Sequence, residues 1–400
     1  MRSNRTSRIA ALLFALLFAG ILFAGLVLFL LKPKETVSYY ENRTLAEKPA
    51  FSLSGLWDGS YFSEWEDYIS DHAVGRSTLL RLHTQLDLDV WKRPTVNDIV
   101  PTEDGKLLAY YPDAARTEQQ IAADSAAMAE QCAAVNDLVT SYGGTFLYVA
   151  VPGQTSYFAD SYPWFLSEQP EQFEPQRTAL SAALSARGVP FLDLGDVYAS
   201  LGHPDSFYSA TDHHYTYSGA FAAYQAILQQ VNQLSGLNFK VYTSEEMQFD
   251  TLENPFIGSR LRKIYGLADS EEHLTIGTFR QPVAFRRYEH GAPAAASCYA
   301  LPSDSAQEIS FTVYMGGDSA ETCIQTDRPQ LPNLLIFGDS FTNPLETLLY
   351  ASCNEMRSLD LRHYQDQSLY DYVSAYRPDV VLCVRDYSVL LSSDGNGTLK

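Results

Sequence analysis

The sequence predicts an α/β protein built on a doubly wound parallel sheet, and two observations support this class. Short apolar stretches of strand type alternate with helical stretches through most of the chain. The apolar stretches are nearly continuous, as expected for strands that are buried on both faces. Alternation of this kind gives a parallel sheet covered by helices on both sides. The predicted strands are residues 144–152, 189–194, 333–340, 357–362 and 379–386.

Helical stretches separate these strands, and one long region interrupts the pattern. The predicted helices are residues 117–142, 173–187, 217–235, 344–353 and 366–376. Residues 238–330 instead contain many Thr, Ser and Gly residues and two short β-like runs, at 284–290 and 308–317. We therefore expect an α/β domain over 111–400 that carries an inserted, mostly β subdomain at 238–330.

The N-terminus carries a run of 23 uncharged and mostly apolar residues at 9–31. A run of this length crosses a bilayer as one helix. Three arginines precede it and two lysines follow it, which favours a cytoplasmic N-terminus at 1–8 and an extracytoplasmic remainder. A cleaved signal peptide is the alternative, because the run contains several small residues. The length of the run favours an uncleaved signal anchor.

Residues 32–110, between this segment and the α/β domain, show less regular patterns. Residues 61–86 have apolar and aromatic side chains at roughly helical spacing, and Gly75 interrupts them. Residues 96–110 contain an Asp-Gly pair between apolar runs, which predicts a short hairpin. We treat 32–110 as a membrane-proximal region of its own.

Charge and cysteine content exclude some classes of function. All 48 acidic side chains lie at Glu35 or beyond it, and 5 of the 28 basic side chains precede Glu35. The chain from Glu35 onward therefore has a net charge of about −25. Nucleic-acid binding needs a basic surface and is therefore not expected. The five cysteines show no C-x-x-C spacing, and Cys298 with Cys323 is the one pair that we consider for a disulfide.

The tripeptide Gly338-Asp339-Ser340 follows an apolar strand, and Pro344 suits the first turn of the helix after it. Ser340 is thereby predicted at a strand-to-helix turn, where N–H groups of the helix can stabilise an oxyanion. Ligands of open α/β sheets bind at such strand ends. The alternative is an ordinary turn with a helix cap. Gln154 follows another predicted strand and is a further polar candidate.

A serine nucleophile needs a base, and the base needs an orienting acid. Asp212, His213 and His214 directly precede the predicted helix at 217–235. In an extended segment, residues two apart point to the same side, so Asp212 is expected to orient His214 while His213 faces elsewhere. The two motifs together predict a serine triad with Ser340. The alternatives are a His pair that caps the helix and a metal site, which lacks a further ligand at metal-binding spacing.

Several stretches resemble the DHHW family, which is akin to alginate O-acetyltransferase proteins of the AlgJ and AlgX type within the SGNH hydrolase-like superfamily. They are ENRTLAEKPAFS at 41–52, TDHHYT at 211–216, YMGGDSAETCIQT at 314–326, FGDSF at 337–341 and SLDLRHY at 358–364. The resemblance extends from Glu41 to about Asp386. It implies an SGNH hydrolase-like fold, and it implies Ser340 as nucleophile, His214 as base and Asp212 as its orienting acid.

One residue departs from the family motif, because Tyr215 stands where the family has Trp. The aromatic character is kept, but size and polarity change, so we expect an effect on substrate contacts. Arg362 follows the strand after the nucleophile helix and is expected either to bind acyl or sugar oxygens or to pair with a carboxylate such as Asp360. Asn343 is either an oxyanion donor or a helix cap.

Gly316 and Gly317 are either oxyanion donors or part of a hairpin turn. The sequence and the resemblance together indicate a serine acyl-transfer enzyme that acetylates hydroxyl groups of a cell-envelope polysaccharide, without a metal or organic cofactor. The resemblance also implies a multi-pass membrane acyltransferase as the source of acyl groups. A polysaccharide O-acetylesterase with the same triad, and a catalytically silent scaffold protein of the cell envelope, are the alternatives.

Overall fold

The computed structural model describes residues 2–112 and 115–399. It divides into two compact units. One unit holds the chain up to Asn97 together with Arg262–Leu267, and the other holds the remaining described residues. The boundary after Asn97 falls within the stretch at 96–110 that we predicted as a hairpin.

The first unit is mainly helical. It contains α1 (Arg2–Leu31), β1 (Val37–Ser38), β2 (Arg43–Thr44), α2 (Leu53–Asp58), α3 (Ser60–Asp71), α4 (Arg76–Gln85) and a π-helical turn at Leu86–Val90. Within the described residues, Ser7–Leu31 is the helix that is long and apolar enough to cross a membrane. Gly75 lies between α3 and α4 with φ of 76°, a left-handed conformation that accounts for the predicted break.

Charged side chains of the motif at 41–52 hold the first unit together. The Arg76 guanidinium of α4 donates to Glu41, with 2.9 Å between Nη2 and Oε1. Arg43 binds Asp71 at the end of α3, with 2.8 Å between Nη1 and Oδ2. Bidentate pairs of this kind fix the direction of both partners. This part of the family motif therefore has a structural role, far from Ser340 in the chain.

The second unit contains the predicted alternation of strands and helices. Its helices are α5 (Glu118–Ser141), α6 (Gln154–Tyr157), α7 (Glu168–Glu171), α8 (Glu174–Ala186), α9 (Leu194–Ser200), α10 (Tyr217–Ser235), α11 (Ser259–Lys263, whose last two residues belong to the first unit), α12 (Thr342–Leu349) and α13 (Leu369–Tyr376). Its strands are β3 (Ile99–Pro101), β4 (Leu107–Ala109), β5 (Thr145–Val151), β6 (Phe191–Asp193), β7 (Met247–Thr251), β8 (Thr275–Phe279), β9 (Arg286–Glu289), β10 (Ala292–Ala294), β11 (Glu321–Gln325), β12 (Asn333–Gly338), β13 (Glu355–Leu359) and β14 (Val380–Asp386). β3 and β4 pair as the predicted hairpin.

One eight-stranded sheet organises this unit, in the order β10-β9-β11-β13-β12-β14-β5-β6. The five strands from β13 to β6 are parallel, and β11, β9 and β10 add antiparallel at one edge. The predicted parallel sheet is therefore confirmed, with a mixed edge. From β12 the chain adds β13 on one side and β14 on the other. This switch point places a ligand crevice at the carboxyl ends of β12 and β14.

Alternate side chains of the parallel strands enter two separate cores. Leu334 and Ile336 of β12 belong to the core that includes α10 and α12. Leu335 and Phe337 of the same strand belong to the core that includes α5, α8 and α13. All four side chains are fully buried. Burial on both faces explains why these strands are continuous apolar runs in the sequence.

The strands of region 238–330, which we predicted as an inserted, mostly β subdomain, belong to two sheets. Its strands β9, β10 and β11 extend the central sheet, because β11 pairs with the otherwise open edge of β13. β7 and β8 form a separate antiparallel pair. The predicted β-run at 308–317 was wrong, because it contains a 3₁₀ turn at Phe311–Val313 that the Ser310 side chain caps.

The disulfide considered between Cys298 and Cys323 is absent, and all five cysteines are free thiols. Cys323 lies within the sheet, where its partners in the ladder are Tyr288 and Arg357. Cys298 is buried, and burial raises the pKa of its thiol to about 12. Both residues are held by packing and strand pairing, so the fold needs no cross-link.

We therefore predict five free thiols in the purified protein. Alkylation with iodoacetamide in denaturant, without reductant, should add five carbamidomethyl groups by mass spectrometry, and prior reduction should add no more. Alkylation without denaturant should be slow, because buried thiols with raised pKa values are poor nucleophiles. Two additional alkylations that appear only after reduction would reveal a disulfide and contradict the structure.

Candidate active site

Asp212, His214 and Ser340 form one chain of hydrogen bonds, although 126 residues separate His214 from Ser340. The Nδ1 atom of His214 lies 2.6 Å from Asp212 Oδ1, and its Nε2 atom lies 2.6 Å from Ser340 Oγ. Ser340 is the second residue after the end of β12, at the crevice of the sheet. These are the contacts that a serine nucleophile, its base and an orienting carboxylate require. The structure thus brings together the three residues predicted as a triad.

Asp212 is held by backbone as well as by His214. Its Oδ1 accepts the backbone N–H of His214 at 3.0 Å, and its Oδ2 accepts the backbone N–H of Ser259 at 2.6 Å. The segment is therefore a bend closed by the carboxylate, whereas we had expected an extended segment. Burial alone would raise the pKa of Asp212, but His214, His213 and these hydrogen bonds hold that pKa well below its usual value.

Gly258 allows the Ser259 N–H to approach Asp212 so closely. A Cβ atom at position 258 would lie 2.8 Å from the backbone nitrogen of Asp212 and would also meet the carbonyl of Thr211. Both obstacles are backbone atoms, which cannot turn aside. Position 258 therefore needs glycine. Sequence analysis missed Gly258 and Ser259, because nothing in their local pattern connects them with a motif 47 residues earlier.

The imidazole of His214 lies between two other rings. Phe311 stacks on it with 3.6 Å between ring centroids and 4° between planes, and His213 lies 3.6 Å away at 38°. The Nδ1 atom of His213 in turn lies 2.7 Å from the hydroxyl oxygen of Ser259. This arrangement fixes the plane of the base, so its Nε2 stays directed at Ser340. Phe311 comes from the stretch predicted as a strand and was also missed.

Neither the His213–His214 pair nor Ser340 acts as a helix cap, which was the alternative role for each. Thr216 caps α10 through its hydroxyl, which accepts the Gly219 N–H, so the His pair does not cap that helix. The side chain of Ser340 contacts His214 and makes no cap hydrogen bond with α12. The N–H of Ser340 donates to no other described residue, which leaves it available to an oxyanion.

Asp339 braces the turn that carries Ser340. Its Oδ1 accepts the Phe341 N–H at 3.1 Å, and its Oδ2 accepts the Asp386 N–H at 3.0 Å. The carboxylate thus connects the ends of β12 and β14. Burial raises the pKa of Asp339 above its usual value. Gly338 passes so close to Val384 that a Cβ would lie 3.0 Å from its carbonyl carbon.

The remaining predicted site residues form a polar network beside this turn. Arg362 binds Asp360, with 2.6 Å between Nη2 and Oδ2, and Asp318, with 2.7 Å between Nη2 and Oδ2. Asn343 donates its side-chain amide to Asp318 at 3.1 Å. Arg362 therefore makes the carboxylate pairs that were the alternative to substrate binding. Asn343 is buried, and its side-chain Nδ2 donates to Asp318 instead of pointing to an open site.

The glycine pair and Tyr215 also have structural contacts. Gly316 and Gly317 have φ values of 84° and 95°, and the Gly317 N–H donates to the Tyr314 carbonyl, which closes a turn. Tyr215 is 1% exposed, and its hydroxyl donates to the Phe341 carbonyl. Tyr215 thus holds the turn that carries Ser340 through the backbone of the next residue.

Two groups of residues place possible metal ligands within 4.8 Å of one another. They are Asp212 with His213 and His214, and Asp318 with Asp360 and His363. In the first group, His214 Nδ1 and Asp212 Oδ1 already bond to each other. In the second group, Arg362 binds both carboxylates. The hydrogen bonds of both groups fit protein partners, so we assign neither group to a metal.

Comparison with known proteins identifies the fold. Residues 105–298 match the family model described as the SGNH hydrolase-like domain of the acetyltransferase AlgX. The protein contains an SGNH hydrolase-like domain. The resemblance predicted from the motifs is therefore confirmed. None of the curated proteins matches the chain.

Solved structures show the same SGNH hydrolase-like fold. Bacillus cereus PatB1 with a sulfonyl adduct is 20% identical, and the alignment covers 76% of this chain and 98% of that chain, with a TM-score of 0.62. A DHHW family protein from Eubacterium siraeum is 17% identical over 76% of this chain and 95% of that chain, with a TM-score of 0.57. At these identities the similarity establishes the fold alone.

The clamp around His214 yields a first prediction for this site. Phe311→Leu should lower kcat for a small aryl ester by about tenfold to a hundredfold, because a base that rotates out of line loses the aligned geometry. KM should change little. Phe249→Leu, which removes an aromatic ring that makes no contact with His214, is the control. Equal kcat values for Phe311→Leu and wild type would contradict the role of the clamp.

Glu346, on the nucleophile helix, yields a second prediction. It is buried, accepts from Thr342 and Ser358, and burial raises its pKa from 4.5 to about 7. Because the folded-state pKa exceeds the unfolded one, this residue should make the free energy of unfolding fall as pH rises from about 4.5 to about 7.

Glu346→Gln keeps the acceptor oxygen but stays neutral, so it should reduce that fall. Urea unfolding of the detergent-solubilised protein at pH 5 and pH 8 measures the difference, with the exposed Glu245→Gln as control. A pH dependence that is identical in wild type and Glu346→Gln would show that Glu346 is ionised normally in the folded protein.

Proposed function

We propose that the protein is a membrane-anchored serine acyl-transfer enzyme that moves acetyl groups onto hydroxyl groups of a cell-envelope polysaccharide. The continuous hydrogen-bond chain from Asp212 through His214 to Ser340 carries this proposal. The match to the AlgX acetyltransferase family supports the reaction class. The sulfonyl adduct of PatB1 is consistent with a reactive nucleophile in this fold.

In the first half-reaction, Ser340 Oγ attacks the acyl carbonyl while His214 Nε2 takes its proton. Asp212 holds the imidazole by its Nδ1–H and stabilises the imidazolium that forms. The oxyanion accepts the free N–H of Ser340 at the start of α12, where the helix dipole adds to the stabilisation. The donor's leaving group then departs with the proton from His214, and the acetyl group remains on Ser340.

In the second half-reaction, a sugar hydroxyl gives its proton to His214 and attacks the acetyl carbonyl. The bond to Ser340 Oγ breaks, and Ser340 regains its proton from His214. The acetyl group is then an ester of the sugar, and the enzyme returns to its starting state. Water in place of the sugar hydroxyl gives acetate, which is the esterase reaction.

Residues Ser7–Leu31 fit the single-pass anchor of this proposal, with the second unit outside the cytoplasm. Acetyl-CoA is a cytosolic donor, so the acetyl group has to cross the membrane before it reaches Ser340. A multi-pass acyltransferase that presents the acetyl group on the outer side is therefore the proposed partner. None of the steps above requires a metal or organic cofactor.

The full-length protein in detergent tests the enzyme class. A biotinylated sulfonyl fluoride should label wild type, and labelling should disappear in Ser340→Ala but persist in Ser218→Ala, an exposed serine of α10. Asp212→Asn should lower turnover of 4-nitrophenyl acetate by about a thousandfold or more, because the base loses its orienting charge. Folded wild type that is neither labelled nor active would favour a scaffold protein.

Acceptor dependence separates transfer from hydrolysis. With 4-nitrophenyl acetate as donor, we expect oligosaccharide to be acetylated and release of free acetate to fall in proportion. Mass spectrometry of the oligosaccharide measures the product. Acetate release that is unaffected by any oligosaccharide would establish the esterase instead.

A further inference from the structure

A small polar cavity of about 40 Å³ lies at the carboxyl ends of β5 and β14, beside the triad. Six separate segments of the second unit meet there. Its polar lining includes Gln154, Ser156, His213, Arg260 and Asp386. The reaction steps described above use none of these five side chains.

Two contacts make this cavity continuous with the triad. His213 lines it and lies 3.6 Å from the ring of His214. The Asp386 N–H donates to Asp339, the residue directly before Ser340. The cavity therefore occupies the side of the crevice toward β14 and β5, where open α/β sheets bind their ligands.

Several polar atoms of the cavity lining have no partner among the described residues. Gln154 is 1% exposed, and its amide Nε2 donates to the Ser209 carbonyl at 2.8 Å, but its Oε1 accepts nothing. Ser156 Oγ and Arg260 Nε are likewise buried without a partner. Buried polar groups without partners cost free energy, so proteins rarely retain them without a use. Three of them around one cavity indicate a site for a polar ligand.

The mixture of donors and acceptors defines the ligand chemistry. Gln154 Oε1 accepts, Arg260 Nε donates, and the Ser156 hydroxyl does both. Burial raises the pKa of Asp386 to about 6, so above that pH its carboxylate accepts hydrogen bonds as well. Hydroxyl groups of a sugar both donate and accept, and they match such a mixture better than a phosphate or an ammonium group does.

Charge selects among sugars. Arg260 is the one cation of the lining beside the Asp386 carboxylate, and the chain from Glu35 onward has a net charge of about −25. Such a surface repels polyuronates and other polyanions. We propose that the cavity receives a hydroxyl group of a neutral sugar residue in the acceptor polysaccharide, next to the hydroxyl that receives the acetyl group. This inference rests on the proposed function and adds to it the class of acceptor.

A reversible block of the cavity tests the proposal in the full-length protein. Ser156→Cys, capped with methyl methanethiosulfonate, places an S-methyl group in the cavity, and dithiothreitol removes it again. The probes are 4-nitrophenyl acetate as donor with cellotetraose or chitotetraose as neutral acceptor, or tetragalacturonate as anionic acceptor. The measured quantity is the ratio of acetylated oligosaccharide to free acetate. Ser218→Cys, capped in the same way, is the control.

We expect capping of Ser156→Cys to lower this ratio about tenfold for a neutral acceptor. A change of this size is typical when a ligand loses one binding contact. Dithiothreitol should restore the ratio, and capping of Ser218→Cys should leave it unchanged. Wild type should acetylate a neutral acceptor at least about tenfold more than tetragalacturonate.

An unchanged ratio after capping would overturn the proposal, and so would equal use of tetragalacturonate. Ester turnover without transfer to either neutral acceptor would overturn it as well while leaving the serine enzyme intact. A wild type that neither turns over the ester nor reacts with the sulfonyl fluoride would instead contradict the proposed function, and this inference with it.

Discussion

The carboxylate of Asp212 is the point on which the whole site depends. It receives three hydrogen bonds, from the ring and backbone of His214 and from the backbone of Ser259. A buried carboxylate is stable only when its charge is compensated in this way. The same bonds determine where the base lies, and the base in turn reaches the serine at the end of β12. Two loops that are remote in sequence therefore converge on one charged group.

The parts of the molecule that follow from local pattern could be predicted from the sequence. The strands of the parallel sheet are apolar on both faces, so β12 and β14 were evident as continuous runs. Gly338 and Ser340 were evident because a glycine and a small polar residue at a strand end form a turn. The spacing of Asp212 and His214 was sufficient to predict the contact between their side chains, although a bend and not an extended segment joins them.

Features that arise from contacts between distant segments could not be predicted. Phe311 stacks on the base only because Ser310 caps a 3₁₀ turn, whereas local propensity there favours a strand. Gly258 is needed because of the backbone of Thr211, which no neighbouring residue reveals. The extent of the sheet was also missed, since the pairing of β11 with β13 depends on an open edge and not on the pattern of β11 alone.

Five unpaired thiols give the fold an independence from its redox surroundings. Burial raises the pKa of every one of them, so the reactive thiolate is scarce at neutral pH. Oxidants attack the thiolate form of cysteine. Because the native state contains no disulfide, the chain can reach it without an oxidase or isomerase, and peroxide that damages exposed cysteines elsewhere should react slowly with these thiols.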